Sequence, residues 1–195
     1  MEEKRMERNT LVALLSINAV MFLLELVLGL IAHSTGLLAD SLDMLADAFV
    51  YGLSLYAVGK AVTKKVSAAR VSGYLQILLG MGVLFEVLRR LVYGSEPQST
   101  LMIVVGIVAL LANVVCVGII AKHRGGGVHM RASWIFSVND VLANLGVILS
   151  GCLVEITGSR YPDLTIGMII AALVVRGGLQ ILREAREAGK PAQNP

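Results

Sequence analysis

Six apolar runs, at residues 10–32, 36–58, 71–92, 100–121, 132–154 and 162–182, occupy most of this 195-residue chain. Each is close to the ~20 residues that a helix needs to cross the hydrocarbon core of a bilayer. Inside hydrocarbon every backbone N–H and C=O must be satisfied within the segment, so such runs predict helices rather than strands or loops. Composition agrees: 56% of the residues are hydrophobic and 16% are charged, against ~25% charged in a soluble domain. The expected fold is all-α, a polytopic bundle of six transmembrane helices over 10–182, with a segment 1–9 before it and a short tail, 183–195, after it. The first run is too long for a signal-peptide core and lacks a small-residue cleavage site, so it is expected to stay as the first span.

Charge gives an orientation. One set of flanks holds Lys4, Arg5, Arg8, Lys60, Lys64, Lys65, Arg70, Lys122, Arg124, Arg131, Arg183, Arg186 and Lys190, whereas the other holds Arg89, Arg90 and Arg160. The excess predicts both termini in the cytoplasm, with the plasma (inner) membrane as the expected location. The net charge of +3 is spread over these flanks, so no nucleic-acid partner is implied. Cys116 and Cys152 lie within apolar runs without CxxC spacing, which points to core packing rather than a disulfide or a thiolate metal site.

The second run contradicts its own apolarity, for it carries Asp40, Asp43 and Asp47. An aspartate at mid-helix costs about 2.5–3.5 kcal/mol on insertion scales and nearly always faces a cavity or a partner. Asp43 and Asp47, four positions apart, project from one helical face ~6 Å apart along the axis. Asp40 lies nearer the outer end, where water is expected to reach it. The fifth run, in "SWIFSVNDVLANLGVILSG", adds Asn139, Asp140 and Asn144. Counting ~1.5 Å per residue from the outer surface puts Asp47 at a depth of ~16 Å, Asp140 at ~21 Å and Asn144 at ~15 Å. Two facing helices thus bring oxygen ligands to one level, a donor set suited to a divalent cation whose charge offsets carboxylate desolvation. The competing reading is that these groups are protonated, or hydrogen-bonded between helices as structural contacts.

The stretch "NAVMFLLELVLGLIAHSTGLLADSLDMLADAF", Asn18 to Phe49, resembles the first two spans of the cation diffusion facilitator family. The features that match are Asn18 and Glu25 in the first span, then Gly29, then "LLAD" followed by a ligand pair four apart. "NDVLANLGVILSG" resembles the family's fifth span, and the six-span layout matches along nearly the whole chain. The resemblance implies that Asp43 and Asp47 are the span-two metal ligands and that Asp140 is the second ligand of span five. The first position of that pair, often His or Asp in the family, is Phe136 here. A phenyl ring cannot coordinate, so Asn144, Asn139 or water must complete the set, with Asp40 a further candidate. An all-oxygen set weakens the preference for zinc and admits manganese, iron(II) or cobalt. Zinc stays the first choice as the family's commonest cargo, with cadmium also a candidate.

The resemblance further implies a metal efflux transporter, not an enzyme, with protons as the exchanged ion and a homodimer as the assembly. No prosthetic group is expected. Family members commonly continue into a cytoplasmic metal-binding domain, but only about a dozen residues follow the sixth run, so no regulation through such a domain is expected. Two alternatives stand beside this reading. A CDP-alcohol phosphotransferase would need a Gly after its second Asp, and here Met44 follows Asp43. A passive cation channel is poorly separated from an antiporter by sequence.

The other polar residues carry smaller expectations. Glu25 and Glu86 are read as pairing with Arg176, the one basic residue inside the sixth run, or as lining the cavity, with structural pairing preferred over direct metal binding. Arg89 and Arg90 are expected to snorkel to headgroups. His33 is read as a solvated loop residue, His123 and His129 as parts of a flexible basic loop, and Trp134 as an interfacial anchor.

Overall fold

The computed structural model describes residues 2–57, 62–121 and 128–188, with side chains for all of these except 2–7, 54, 57, 62–65, 68 and 128–139. Six helices follow one another: α1 (Glu2–Ile31), α2 (Thr35–Ala57), α3 (Val62–Tyr93), α4 (Ser99–Ala121), α5 (Val128–Thr157) and α6 (Tyr161–Ala188). No strand occurs among the described residues. Five of the helices are long and apolar enough to cross a membrane. The sixth, α2, has 23 residues, ~34 Å of helix, and differs by carrying the three aspartates.

Several helices outlast their apolar runs. α1 begins at Glu2, α3 at Val62, and α6 continues to Ala188. These extensions, such as "LREAREA" at the end of α6, are rich in strong helix formers, and helix hydrogen bonds persist in water once such residues propagate them. Gln180 Nε2 donates to Glu184 Oε1 at 3.0 Å along that last stretch.

At the opposite end the connections are tight. His33, in the α1–α2 turn, has φ +50°. Its N–H donates to the carbonyl of Leu30 at 3.2 Å and that of Ser34 to Gly29 at 3.1 Å, the Schellman pattern that closes a helix C-terminus on a left-handed residue. Gly94 and Gly158 take positive φ in the other two short connections.

α2 is the only helix that packs against all five others, among the described residues. The rest form an open ring, in the order α1, α4, α5, α6, α3, and α2 fills it. That placement is why three carboxylates are tolerated on α2: the acidic helix is the one most enclosed by protein rather than lipid. α2 and its neighbours together supply the core, which includes Leu37, Val83, Val87, Met102, Val147, Ile170 and Val174. Large apolar side chains such as Leu78, Phe85, Leu111 and Leu149 point outward.

The most extensive packing is between α3 and α6. Here a Cβ on Gly178 would lie 2.8 Å from the Gly73 carbonyl oxygen, and one on Gly73 would lie 2.9 Å from that of Gly178. With lipid tails as apolar as leucine, contact between helices rests on this close approach of backbones through small residues. In "GMG", Gly80 faces Val175 of α6 and Gly82 faces open space.

The arginines at the short-connection end depart from the sequence expectation. Arg90 does not snorkel: its side chain is 5% exposed, its Nε lies 2.7 Å from Glu86 Oε1, and its Nη1 donates to the His33 carbonyl. Arg89 is half-exposed and also pairs with Glu86, at 2.7 Å. Glu86 is therefore held by its own helical neighbours, three and four residues on, rather than by Arg176, which is exposed on α6. His33 is exposed, as expected. Trp134, His129 and the loop holding His123 lie outside the described side chains.

Candidate metal centre

On α2, Asp40, Asp43 and Asp47 stand at positions i, i+3 and i+7. Seven residues are nearly two full turns, so all three lie on one stripe ~10 Å long. Asp47 is 7% exposed and Asp40 is 1% exposed, whereas Asp43 is half-buried. The expectation that water reaches Asp40 is thus corrected: α1 covers it.

α5 brings Asp140 and Asn144 to this stripe. Asp140 is 9% exposed and Asn144 is fully buried. The side chains of Asp47 and Asp140 meet, their carboxyl groups within hydrogen-bonding reach of each other. Counting residues down two antiparallel helices puts them within about a turn of each other. Tyr51, one turn beyond Asp47, turns its hydroxyl toward Asp47 Oδ2 at 3.5 Å, the long limit for a donated bond. Asn144 Nδ2 donates to the carbonyl of Asp140 at 2.8 Å, while its Oδ1 is buried with no partner. One turn from the carboxyl pair there is therefore an amide oxygen whose bonding capacity is unused.

Asp43 lies within electrostatic range of Asp47 and Asp40 but does not close on the Asp47–Asp140 pair. Among the described residues no three His, Cys, Asp or Glu side chains converge on one point. Asn139 and Phe136 lie outside the described side chains.

Two buried carboxyl groups in contact repel unless a cation or a shared proton lies between them. Among the described residues no arginine pairs with Asp47 or Asp140; Arg89 and Arg90 pair with Glu86. Cys116 is buried against Leu11, Leu14, Tyr51 and Ile120, and both cysteines are free thiols.

Glu25 does not pair with Arg176 either. It is fully buried and stands within reach of the Asp40 carboxyl, and no N–H or hydroxyl donor meets either of its oxygens.

Sequence reasoning missed Asp163. This fully buried side chain, in the first turn of α6, accepts from Ser34 Oγ at 2.6 Å, from the Thr35 N–H at 2.6 Å and from the Gly36 N–H at 2.9 Å. Ser34 Oγ in turn accepts from the Leu37 N–H at 3.1 Å. Three of the orphan donors at the head of α2 are satisfied, and a carboxylate sits at the positive end of the helix. "HSTG" in the sequence signals a helix start, but nothing in it signals that a residue some 130 positions away completes the cap.

A family model described as the cation efflux transmembrane domain matches residues 11–188. The chain is 26% identical over 123 residues to the cadmium, cobalt and zinc/H(+)-K(+) antiporter of Bacillus velezensis, a match covering 62% of this chain and 39% of that protein. It is 24% identical over 119 residues to the zinc transporter ZitB of Yersinia pseudotuberculosis, covering 60% of this chain and 38% of that one. With the metal cation efflux system protein CzcD of Cupriavidus metallidurans the identity is 24% over 111 residues, 57% of this chain and 35% of that protein. The matched part is thus under two fifths of each of these relatives' length.

Proposed function

This chain belongs to the cation efflux family of membrane transporters, and from that premise we propose that it exports a divalent transition-metal ion from the cytoplasm in exchange for protons. The carrying observation is the meeting of Asp47 on α2 with Asp140 on α5, beside the unpartnered amide oxygen of Asn144. Asp43, Asp47, Asp140 and Asn144 hold the ion, and a small slide of α2 against α5 brings Asp43 to the pair. Asn139 and Asp40 are further candidate ligands. Zinc is the first choice, because two of the relatives named above are zinc transporters or antiporters by name. Cobalt and cadmium follow, and iron(II) and manganese suit the oxygen donors.

Export with exchange follows from the chemistry of the donors. A metal held between two helices is exposed to one side and then the other as the helices rock around it. Carboxylates that release the ion take up protons before returning, because repulsion between Asp47 and Asp140 needs one or the other. The lysine and arginine excess puts both termini in the cytoplasm, so the short connections face outward across the plasma membrane. Family resemblance supports a homodimer.

The test is metal-driven proton flux in liposomes carrying the purified chain, with zinc, cadmium, cobalt, iron(II) and manganese. Antiport requires a pH change of the lumen that follows the metal and persists with the membrane potential clamped. A current without obligatory proton movement would make the chain a channel instead.

A further inference from the structure

We infer that Glu25 of α1 and Asp40 of α2 form a second station for the divalent cation, between the Asp47–Asp140 pair and the short-connection end. The inference deepens the proposed function and rests on it for the direction of traffic. Glu25 lies six residues from the end of α1 and Asp40 five from the start of α2, ~9 and ~8 Å from the turn that joins them. The two side chains are therefore level by construction. Gly29, one turn past Glu25, lets the helices close: a Cβ there would lie 3.1 Å from Leu37 Cβ and 3.2 Å from the Leu38 nitrogen. That approach sets the carboxyl groups side by side.

What they lack points to a ligand. Glu25 Oε1 and Oε2 and Asp40 Oδ2 are all buried and meet no N–H or hydroxyl donor, only the facing carboxyl group, and native structures rarely leave such groups unsatisfied. The arginines nearest that end of the bundle are engaged: Arg90 by Glu86 and the His33 carbonyl. A divalent cation cancels both carboxylates at once, whereas one shared proton leaves a net negative charge in the membrane interior. The pair also does not stand alone. Asp43 links Asp40 to Asp47 along one stripe of α2, and a row of acidic groups with two ends provides the several weak sites from which an ion can leave as easily as it binds.

Equilibrium dialysis of the detergent-purified chain against zinc and, separately, manganese(II) tests this, with bound metal counted per chain. In the Asp47→Asn/Asp140→Asn double variant, with the central pair disabled, about one ion per chain should remain. Adding Glu25→Gln or Asp40→Asn should weaken that ion at least about tenfold. These two variants sit on different helices, so one serves if the other fails to run as a monodisperse species. The second station does not exist if the double variant binds neither metal, or if its remaining ion is indifferent to both substitutions; the pair then holds a proton. Glu25→Gln alone separates the two readings. If it retains an ion that Asp47→Asn removes, the central site stands whatever becomes of the second. If Asp47→Asn removes nothing, the proposed function fails first.

Discussion

Asp163 and Thr35 lie 128 residues apart in sequence and are joined by a 2.6 Å bond from the Thr35 N–H to Asp163 Oδ2. The carboxylate of α6 thereby caps α2, the helix that carries Asp40, Asp43 and Asp47. Gly167 completes the contact one turn along α6, where a Cβ would lie 3.0 Å from the Thr35 carbonyl carbon. The head of α2, above its acidic stripe, is thereby tied to α6.

Removing that cap has a calculable cost. Asp163→Ala leaves two backbone N–H groups and the Ser34 hydroxyl buried without an acceptor. Losing an N-cap costs about 0.5–2 kcal/mol, and stranding buried donors about 1–3 kcal/mol each. The variant should melt well below the parent chain in detergent, by circular dichroism, and Asp163→Asn, with one acceptor left, should fall between them.

Adjacent arginines should behave unequally. Arg90→Ala removes a buried guanidinium that joins Glu86 to the His33 carbonyl; Glu86 keeps Arg89, but the carbonyl loses its donor, a loss of about 1–3 kcal/mol. Arg89→Ala removes only a half-exposed contact that solvent screens. Thermal unfolding of the two variants side by side should show a large shift for Arg90 and little for Arg89.

The α3–α6 seam makes a similar contrast. Gly178→Ala drives a methyl to within 2.8 Å of the Gly73 carbonyl oxygen, a backbone atom that cannot turn aside, whereas Gly82→Ala meets nothing within 4 Å. Over-packing of this sort costs about 1–3 kcal/mol. Gly178→Ala should lower the melting temperature and Gly82→Ala should not.

Ligand chemistry predicts a change of preference. An imidazole at position 136, where the family resemblance places a ligand, favours zinc over manganese(II). Phe136→His should therefore raise the ratio of zinc to manganese(II) uptake in liposomes above that of the parent chain. An unchanged ratio would mean that residue 136 stands away from the ion.

Much of this was legible in the residues themselves. The six helices follow from bilayer-length apolar runs, and the nearness in depth of Asp47 and Asp140, within about a turn, from counting rise along two antiparallel helices. The i, i+3 and i, i+4 spacing of Glu86 with Arg89 and Arg90 is equally legible, and these local partners prevail over the distant Arg176. Asp163 could not be read out, because an acidic residue in a first helical turn is ordinary for its own helix and the helix it caps belongs to a distant part of the chain. Nor could the burial of Asp40, which depends on how closely Gly29 lets α1 approach. Packing partners are a property of the ring that surrounds α2, and no local pattern encodes that ring.

The central claim is that Asp47 and Asp140 together hold the transported ion, and zinc flux into proteoliposomes tests it most directly. Asp47→Asn and Asp140→Asn should each reduce flux to the level of protein-free vesicles while keeping the helical content and elution volume of the parent chain. Flux equal to the parent's in either variant would contradict the account.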